Sequence, residues 1–156
     1  MTADTLGTAL SADDALAFSR DYRSLRDSGL ALFPGATGVL ARLRSEGATL
    51  ALICNGSQSD QRGKIARFDL AHYFDLIVIE GELGVGKPDE RIFRHALGAL
   101  GASPVDTVMV GDDFGADIAG ASALSIPSVW VNPAGAPIPA SAVYTPTRII
   151  ERLADF

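Results

Sequence analysis

The stretch TLALICNGS, residues 49–57, decides the fold class of this chain. Residues 49–54 are mostly apolar and lack the alternation of a half-buried strand, and a turn signature follows them at 55–57. A continuous apolar run of this length is typical of a parallel strand that is covered on both faces. A helical pattern with Ile65 and Phe68 comes next, so the stretch predicts a strand, a turn and a helix in succession.

The same unit recurs toward the carboxyl terminus. Apolar runs at 76–79, 107–110 and 128–131 are strand-like, and a helix with Pro88 as its first residue is predicted between the first two. Helices that alternate with strands that are apolar on both faces indicate an α/β fold with a Rossmann-like, doubly wound parallel sheet. A last helix is predicted through Ile149, Ile150 and Leu153.

Two further helices are predicted before this alternation begins. Ser11 is placed as the N-cap of a helix that passes through Leu16, Phe18, Tyr22 and Leu25 and stops near Gly29. After a turn at Pro34-Gly35, a second helix runs through Val39, Leu40 and Leu43 to Gly47.

Composition narrows the range of partners. The net charge of −6 and the isoelectric point near 4.7 argue against nucleic acid or an anionic membrane surface. The chain has one cysteine and therefore no internal disulfide, which fits a reducing compartment. No apolar run reaches the roughly 18 residues that a membrane span needs, and no signal peptide is visible, so we expect a cytoplasmic protein.

Polar residues follow three of the predicted strands, where a parallel sheet binds its ligands. Cys54, Asn55 and Gly56 follow the first strand, Lys87 lies in the loop after the second, and Asp112 and Asp113 follow the third. We expect these groups to meet at one rim of the sheet.

Each of these groups has a functional and a structural interpretation. Asp112, Asp113 and Asp117 can converge on Mg²⁺, or they can simply cap the helix that they precede. Lys87 can neutralise a phosphate, or it can be a solvated surface lysine. Backbone N–H groups at 55–56 would face an anion. Cys54 is either a thiolate nucleophile or a small buried side chain, and the arginine that a cysteine phosphatase needs six positions later is absent.

Four segments, taken in order, resemble the haloacid dehalogenase-like hydrolases. Residues 52–56 resemble the second motif of that family, 86–93 the third and 110–121 the fourth, and 32–35 resembles the re-entry from a helical cap into the core. The resemblance implies that residues 1–31 are a remnant of the helical cap and that residues 32–156 form the α/β core. It also implies magnesium-dependent hydrolysis of a small phosphorylated metabolite through an aspartyl-phosphate.

The resemblance carries roles onto particular residues. Lys87 would neutralise the nucleophile and the phosphoryl group, and Asp112 would hold Mg²⁺, with Asp113 and Asp117 completing or supporting its shell. Cys54, Asn55, Gly56 and Lys87 would bind the phosphate. The family usually has threonine or serine where this chain has Cys54, and a thiol is a weaker hydrogen-bond donor.

The first motif of the family, Asp-x-Asp-x-Thr, supplies the nucleophile and occurs nowhere in the sequence. We therefore expect a chain that lacks one central strand and is inactive by itself. The strands that end at Cys54 and at Asp112 would lie on either side of the missing strand. They would pair directly with each other, or a strand donated by a partner such as a second copy would lie between them, or the chain would be marginally stable. An inactive domain that binds phosphate or a protein is the alternative function. A receiver-like signalling domain disagrees with the chain order, since its acidic pair follows the first strand.

Overall fold

The computed structural model describes residue 11, residues 13–18 and residues 29–156. The chain divides into two units, Met1–Leu32 and Phe33–Phe156. In the first unit residues 13–18 form a helix, α1. Ser11 caps this helix as predicted, because its Oγ accepts a hydrogen bond from the N–H of Asp14 at 3.1 Å. The predicted continuation through Tyr22 and Leu25 lies outside the described residues.

The second unit alternates helices and strands. Its elements are α2 (Ala36–Ser45), β1 (Ala51–Cys54), α3 (Gln58–Arg67), β2 (Leu76–Ile79), α4 (Glu80–Leu83), α5 (Glu90–Leu100), β3 (Met109–Gly111), a π-helix (Phe114–Ile118) that continues into α6 (Ala119–Ala123), β4 (Ser128–Val131) and β5 (Arg148–Ile150). No helix in the described part of the chain is long and apolar enough to cross a bilayer.

The strands form two parallel sheets rather than one. β1 pairs with β2, and Cys54 lies opposite Ile79. β4 pairs with β3 on one side and with β5 on the other. Parallel pairing was predicted correctly, but β1 and β3 are not neighbours in a sheet among the described strands. The predicted direct pairing of β1 with β3 is therefore wrong. The other two expectations, that a donated strand fills the gap or that the chain is marginally stable, stay predictions.

One hydrophobic cluster holds the two sheets together. Its centre on α5 is formed by Ile92, Phe93 and Ala96, which are at most 5% exposed. Ile53 of β1 and Met109 of β3 both pack against this cluster. Burying a side chain of this size stabilises a fold by about 1.5–3 kcal/mol. The helix α5 therefore keeps the two sheets in one unit although they share no strand pairing.

Three predicted elements differ from the structure. The first part of the last predicted helix is β5 instead, because Ile150 packs on Val129 and Val131 in a second cluster, and Leu153 begins a short 3-10 helix (Leu153–Asp155). Pro88 is not the first residue of α5, since Asp89 is the N-cap and accepts from the N–H of Arg91. The loop that was predicted between the second strand and Lys87 contains α4, which begins directly after β2.

Candidate functional site

The ammonium of Lys87 lies at the carboxyl ends of both sheets. Its Nζ donates a hydrogen bond to the backbone oxygen of Ile53 in β1, at 2.8 Å. The same Nζ is 2.7 Å from Oδ1 of Asp117, in the π-helix that follows β3. The Lys87 side chain is only 12% exposed. A single cation therefore joins the two sheets at the rim where the sequence predicted the polar residues to gather.

Asn55 fixes the backbone of Lys87 from the other side. Its Nδ2 donates to the backbone oxygen of Lys87 at 2.8 Å, and its Oδ1 accepts from the N–H of Lys87 at 2.8 Å. Two reciprocal hydrogen bonds restrain both the distance and the orientation of the loop against the turn after β1. The side chain of Asn55 therefore positions Lys87, a role that the sequence did not indicate.

Asp117 is a buried carboxylate whose charge is balanced inside the chain. The residue is 3% exposed. Its Oδ2 accepts from the N–H of Asp113 at 3.1 Å, and its Oδ1 has no partner other than the ammonium of Lys87 among the described groups. A side chain on Gly111 would overlap this carboxylate, so the glycine at the end of β3 makes room for it.

The other two aspartates of the predicted triplet have different surroundings. Asp113 is the N-cap of the π-helix, and its Oδ1 accepts from the N–H of Ala116 at 2.9 Å. Asp112 is exposed, and its carboxylate makes no hydrogen bond or ion pair with any described residue. Its backbone oxygen accepts from Nε1 of Trp130 at 3.0 Å. Asp112 also lines an open cavity of about 150 Å³.

These surroundings suit magnesium at Asp112 better than at the other two aspartates. Magnesium is typically held by one or two carboxylates, with waters and substrate phosphate oxygens as further ligands. The unengaged carboxylate of Asp112 fits that pattern, whereas Asp113 caps a helix and Asp117 is neutralised by Lys87. No three His, Cys, Asp or Glu residues within the described ranges lie close enough to hold a metal. The magnesium roles of Asp113 and Asp117 stay predictions.

The N–H of Gly56, a predicted phosphate donor, is already occupied. It donates to Oε2 of Glu80 at 2.7 Å. Burial raises the pKa of the neighbouring Cys54 thiol, and the positive charge of Lys87 offsets this only in part. A raised pKa keeps the thiol protonated near neutral pH, so Cys54 has the character of a small, half-buried side chain rather than of a thiolate nucleophile.

The raised pKa of Cys54 predicts slow alkylation. Because the thiolate is the reactive form, we expect iodoacetamide to modify Cys54 more slowly in the folded chain than free cysteine at pH 8. The rate should still be rising at pH 9, the ordinary pKa of the group, since the folded-state pKa lies above it. Mass spectrometry of timed, quenched samples measures the rate. The urea-unfolded chain is the control, and equal rates for the folded and unfolded chain would contradict the prediction.

Besides the contacts of Asn55, three further features in and around this rim were not predicted from the sequence. Glu80 holds the turn after β1, Gly111 makes room for Asp117, and Arg62 of α3 makes a bidentate pair with Glu82 of α4 at 2.7 Å. The position of Gly111, directly before an aspartate pair, was a usable signal for close packing. Nothing in the sequence around Glu80 distinguishes it from a surface acid.

Comparison with known proteins assigns the family. A sequence profile of the haloacid dehalogenase-like hydrolases matches residues 3–124. This chain belongs to that family. Phosphoserine phosphatase from Thermus thermophilus is 46% identical over 101 residues, which are 65% of this chain and 41% of that enzyme. Glyceraldehyde 3-phosphate phosphatase from Methanothermobacter thermautotrophicus is 38% identical over 111 residues, covering 71% of this chain and 49% of the enzyme.

Solved structures of proteins described as HAD phosphatases or hydrolases superimpose on this chain. A HAD phosphatase from Thermococcus onnurineus superimposes with a TM-score of 0.72 at 28% identity, over 80% of this chain and 55% of its own. A Bacillus subtilis protein assigned as a HAD hydrolase, solved bound to magnesium, superimposes with a TM-score of 0.77 at 26% identity. The superposition covers 93% of this chain and 61% of that protein's chain. The predicted Rossmann-like α/β class is confirmed. The chain spans about half the length of the curated relatives it matches.

Proposed function

We propose that this chain supplies the phosphate- and magnesium-binding part of a phosphatase for a small phosphorylated metabolite. The observation that carries the proposal is the Lys87 ammonium, held between the Ile53 oxygen and the Asp117 carboxylate. An ammonium has three N–H donors, and these two contacts leave one for a phosphoryl oxygen. The phosphatase activities of the relatives support the same substrate class.

The contacts of Lys87 and Asn55 support their proposed roles, and the roles of the other residues rest on the family resemblance. Lys87 neutralises phosphoryl charge, and Asn55 keeps it at the rim through the two hydrogen bonds to its backbone. Cys54 and the backbone at 55–56 face the phosphate, and the thiol of Cys54 is a weaker donor than a hydroxyl. Asp112 holds magnesium, which when bound offsets the negative charge of the phosphoryl oxygens.

The sequence also supports a second candidate, a domain that binds phosphate or a protein partner without turnover. No Asp-x-Asp pair occurs in the 156 residues, so the expected carboxylate nucleophile is not among them. Among the described strands, β1 and β3 are each paired on one side only. A strand from another chain or from a second copy would satisfy the free edges of both. Only a strand from a different chain that ends in Asp-x-Asp would also bring the missing carboxylate to the rim.

An aryl phosphate assay tests both candidates. We expect no phosphate release by the chain alone, with or without magnesium. We expect magnesium-dependent release once an apolar strand ending in Asp-x-Asp-x-Thr is supplied as a fusion or as a separate peptide. Asp112→Asn should lower that turnover at least about 100-fold, because it removes the proposed magnesium ligand.

Asp69→Asn is the matched control for this assay. Asp69 is 92% exposed in its side chain, and asparagine tolerates its positive φ of 49°. It should leave turnover unchanged. Turnover by the chain alone that Asp112→Asn abolishes would reject the non-catalytic candidate. No turnover after the strand is supplied would reject the phosphatase.

A further inference from the structure

We infer that Glu80 is an internal anion that a phosphate ligand must displace from the turn after β1, so that Glu80 sets the anion affinity of the site. The inference rests on the proposed phosphate-binding role of residues 54–56. Glu80 is the first residue after β2, and its side chain reaches across to the neighbouring strand's turn. Glu80 is therefore a carboxylate that lies among groups proposed to bind another anion, phosphate.

The first observation is the hydrogen bond itself. Oε2 of Glu80 accepts from the N–H of Gly56 at 2.7 Å. Hydrogen bonds to a carboxylate are shorter and stronger than those between neutral groups. One N–H makes one strong hydrogen bond, so a phosphate oxygen and the Glu80 carboxylate compete for the same donor.

The second observation is the space that the carboxyl group occupies. A Cβ on Gly86 would lie 2.6 Å from Cδ of Glu80 and 2.9 Å from its Oε1, so the carboxyl group packs against the backbone of residue 86. Gly86 directly precedes Lys87. The carboxyl group therefore lies between the turn at 54–56 and the loop that carries the ammonium, which are the two segments proposed to bind phosphate.

The turn is also held by a contact that does not involve the Glu80 side chain. The N–H of Gly81 donates to the backbone oxygen of Gly56 at 3.0 Å. Arg62 and Glu82 join α3 to α4 nearby. Substitution of Glu80 should therefore free the N–H of Gly56 without moving the turn away from the start of α4.

Titration with inorganic phosphate, without magnesium, tests the inference by NMR. We expect Glu80→Ala to bind phosphate about tenfold more tightly than the wild-type chain, because the competing charge-assisted hydrogen bond is gone. The Gly56 amide resonance should shift during that titration. Glu80→Gln, which keeps an acceptor but loses the charge, should lie between the two and guards against misfolding of the alanine variant.

Glu151→Ala is the control for net charge. Glu151 is exposed, and its removal changes the charge of the chain by the same amount, so phosphate affinity should change less than about twofold. Phosphate affinity of Glu80→Ala no higher than wild type, or an equal gain in Glu151→Ala, overturns the inference. Tighter binding by Glu80→Ala without turnover in the strand-supplied assay would reject the phosphatase alone. Turnover in that assay with unchanged binding would reject the Glu80 inference alone.

Discussion

Replacement of Lys87 by methionine is expected to lower the free energy of unfolding by about 3–5 kcal/mol, because it leaves a buried charge without its partner. Asp117 is 3% exposed, and its Oδ1 has no other partner among the described groups. The Ile53 oxygen loses its donor in the same variant. Urea unfolding followed by the fluorescence of Trp130, the single tryptophan, measures the loss.

Two further variants distinguish the effect of breaking the ion pair from the effect of losing a lysine at any position. Lys64→Met removes the other lysine, on α3, and should change stability by no more than about 0.5 kcal/mol. Adding Asp117→Asn to Lys87→Met should recover part of the loss, since it removes the uncompensated charge. A Lys87→Met variant as stable as Lys64→Met would show that the ammonium does not hold the two sheets together.

The strands that the sequence predicted well are those whose apolar runs end in turn residues. The runs at 76–79 and 128–131 match β2 and β4, and 49–54 contains β1. β5 was missed because two isoleucines followed by Leu153 fit helical spacing as well as strand spacing. What decides between them is the packing of Ile150 on β4, a contact between residues about 20 positions apart that local periodicity does not contain.

The meeting of Lys87 with an aspartate after β3 was predictable from chain order, because parallel strands bring their carboxyl ends to one edge. Which aspartate it meets was not. Asp117 contacts the ammonium from a π-helix, and Gly111 leaves space for its side chain. Both features depend on backbone geometry that residue spacing does not specify.

The separation of the sheets was only partly predictable. The absence of an Asp-x-Asp motif predicted an unfilled place beside β1 and β3. In the structure the two sheets are joined through α5, whose buried face contacts residues of both sheets. Ile92 and Phe93 lie in the segment 86–93 that resembles the third family motif, but only the three-dimensional structure shows that they contact both sheets.

The substitution Gly111→Ala should destabilise the chain by about 3 kcal/mol or more, since it combines overpacking with disruption of the buried ion pair. A Cβ at this position overlaps the Asp117 carboxylate, which cannot retreat without leaving Lys87. Gly98→Ala is the matched control on α5, where an added Cβ meets nothing within 4 Å. That control should be stabilised by up to about 1 kcal/mol, the helical advantage of alanine over glycine.

A double-mutant cycle with Asp117→Ala identifies the cause of the Gly111→Ala defect. Removing the Asp117 carboxylate also removes the group that the new Cβ would strike. The double variant should therefore lose less stability than the sum of the two single variants, by about 1 kcal/mol or more. Strictly additive losses in urea unfolding would mean that Gly111 is needed for the strand backbone itself. The glycine would then have no part in placing the carboxylate that holds Lys87 at the rim.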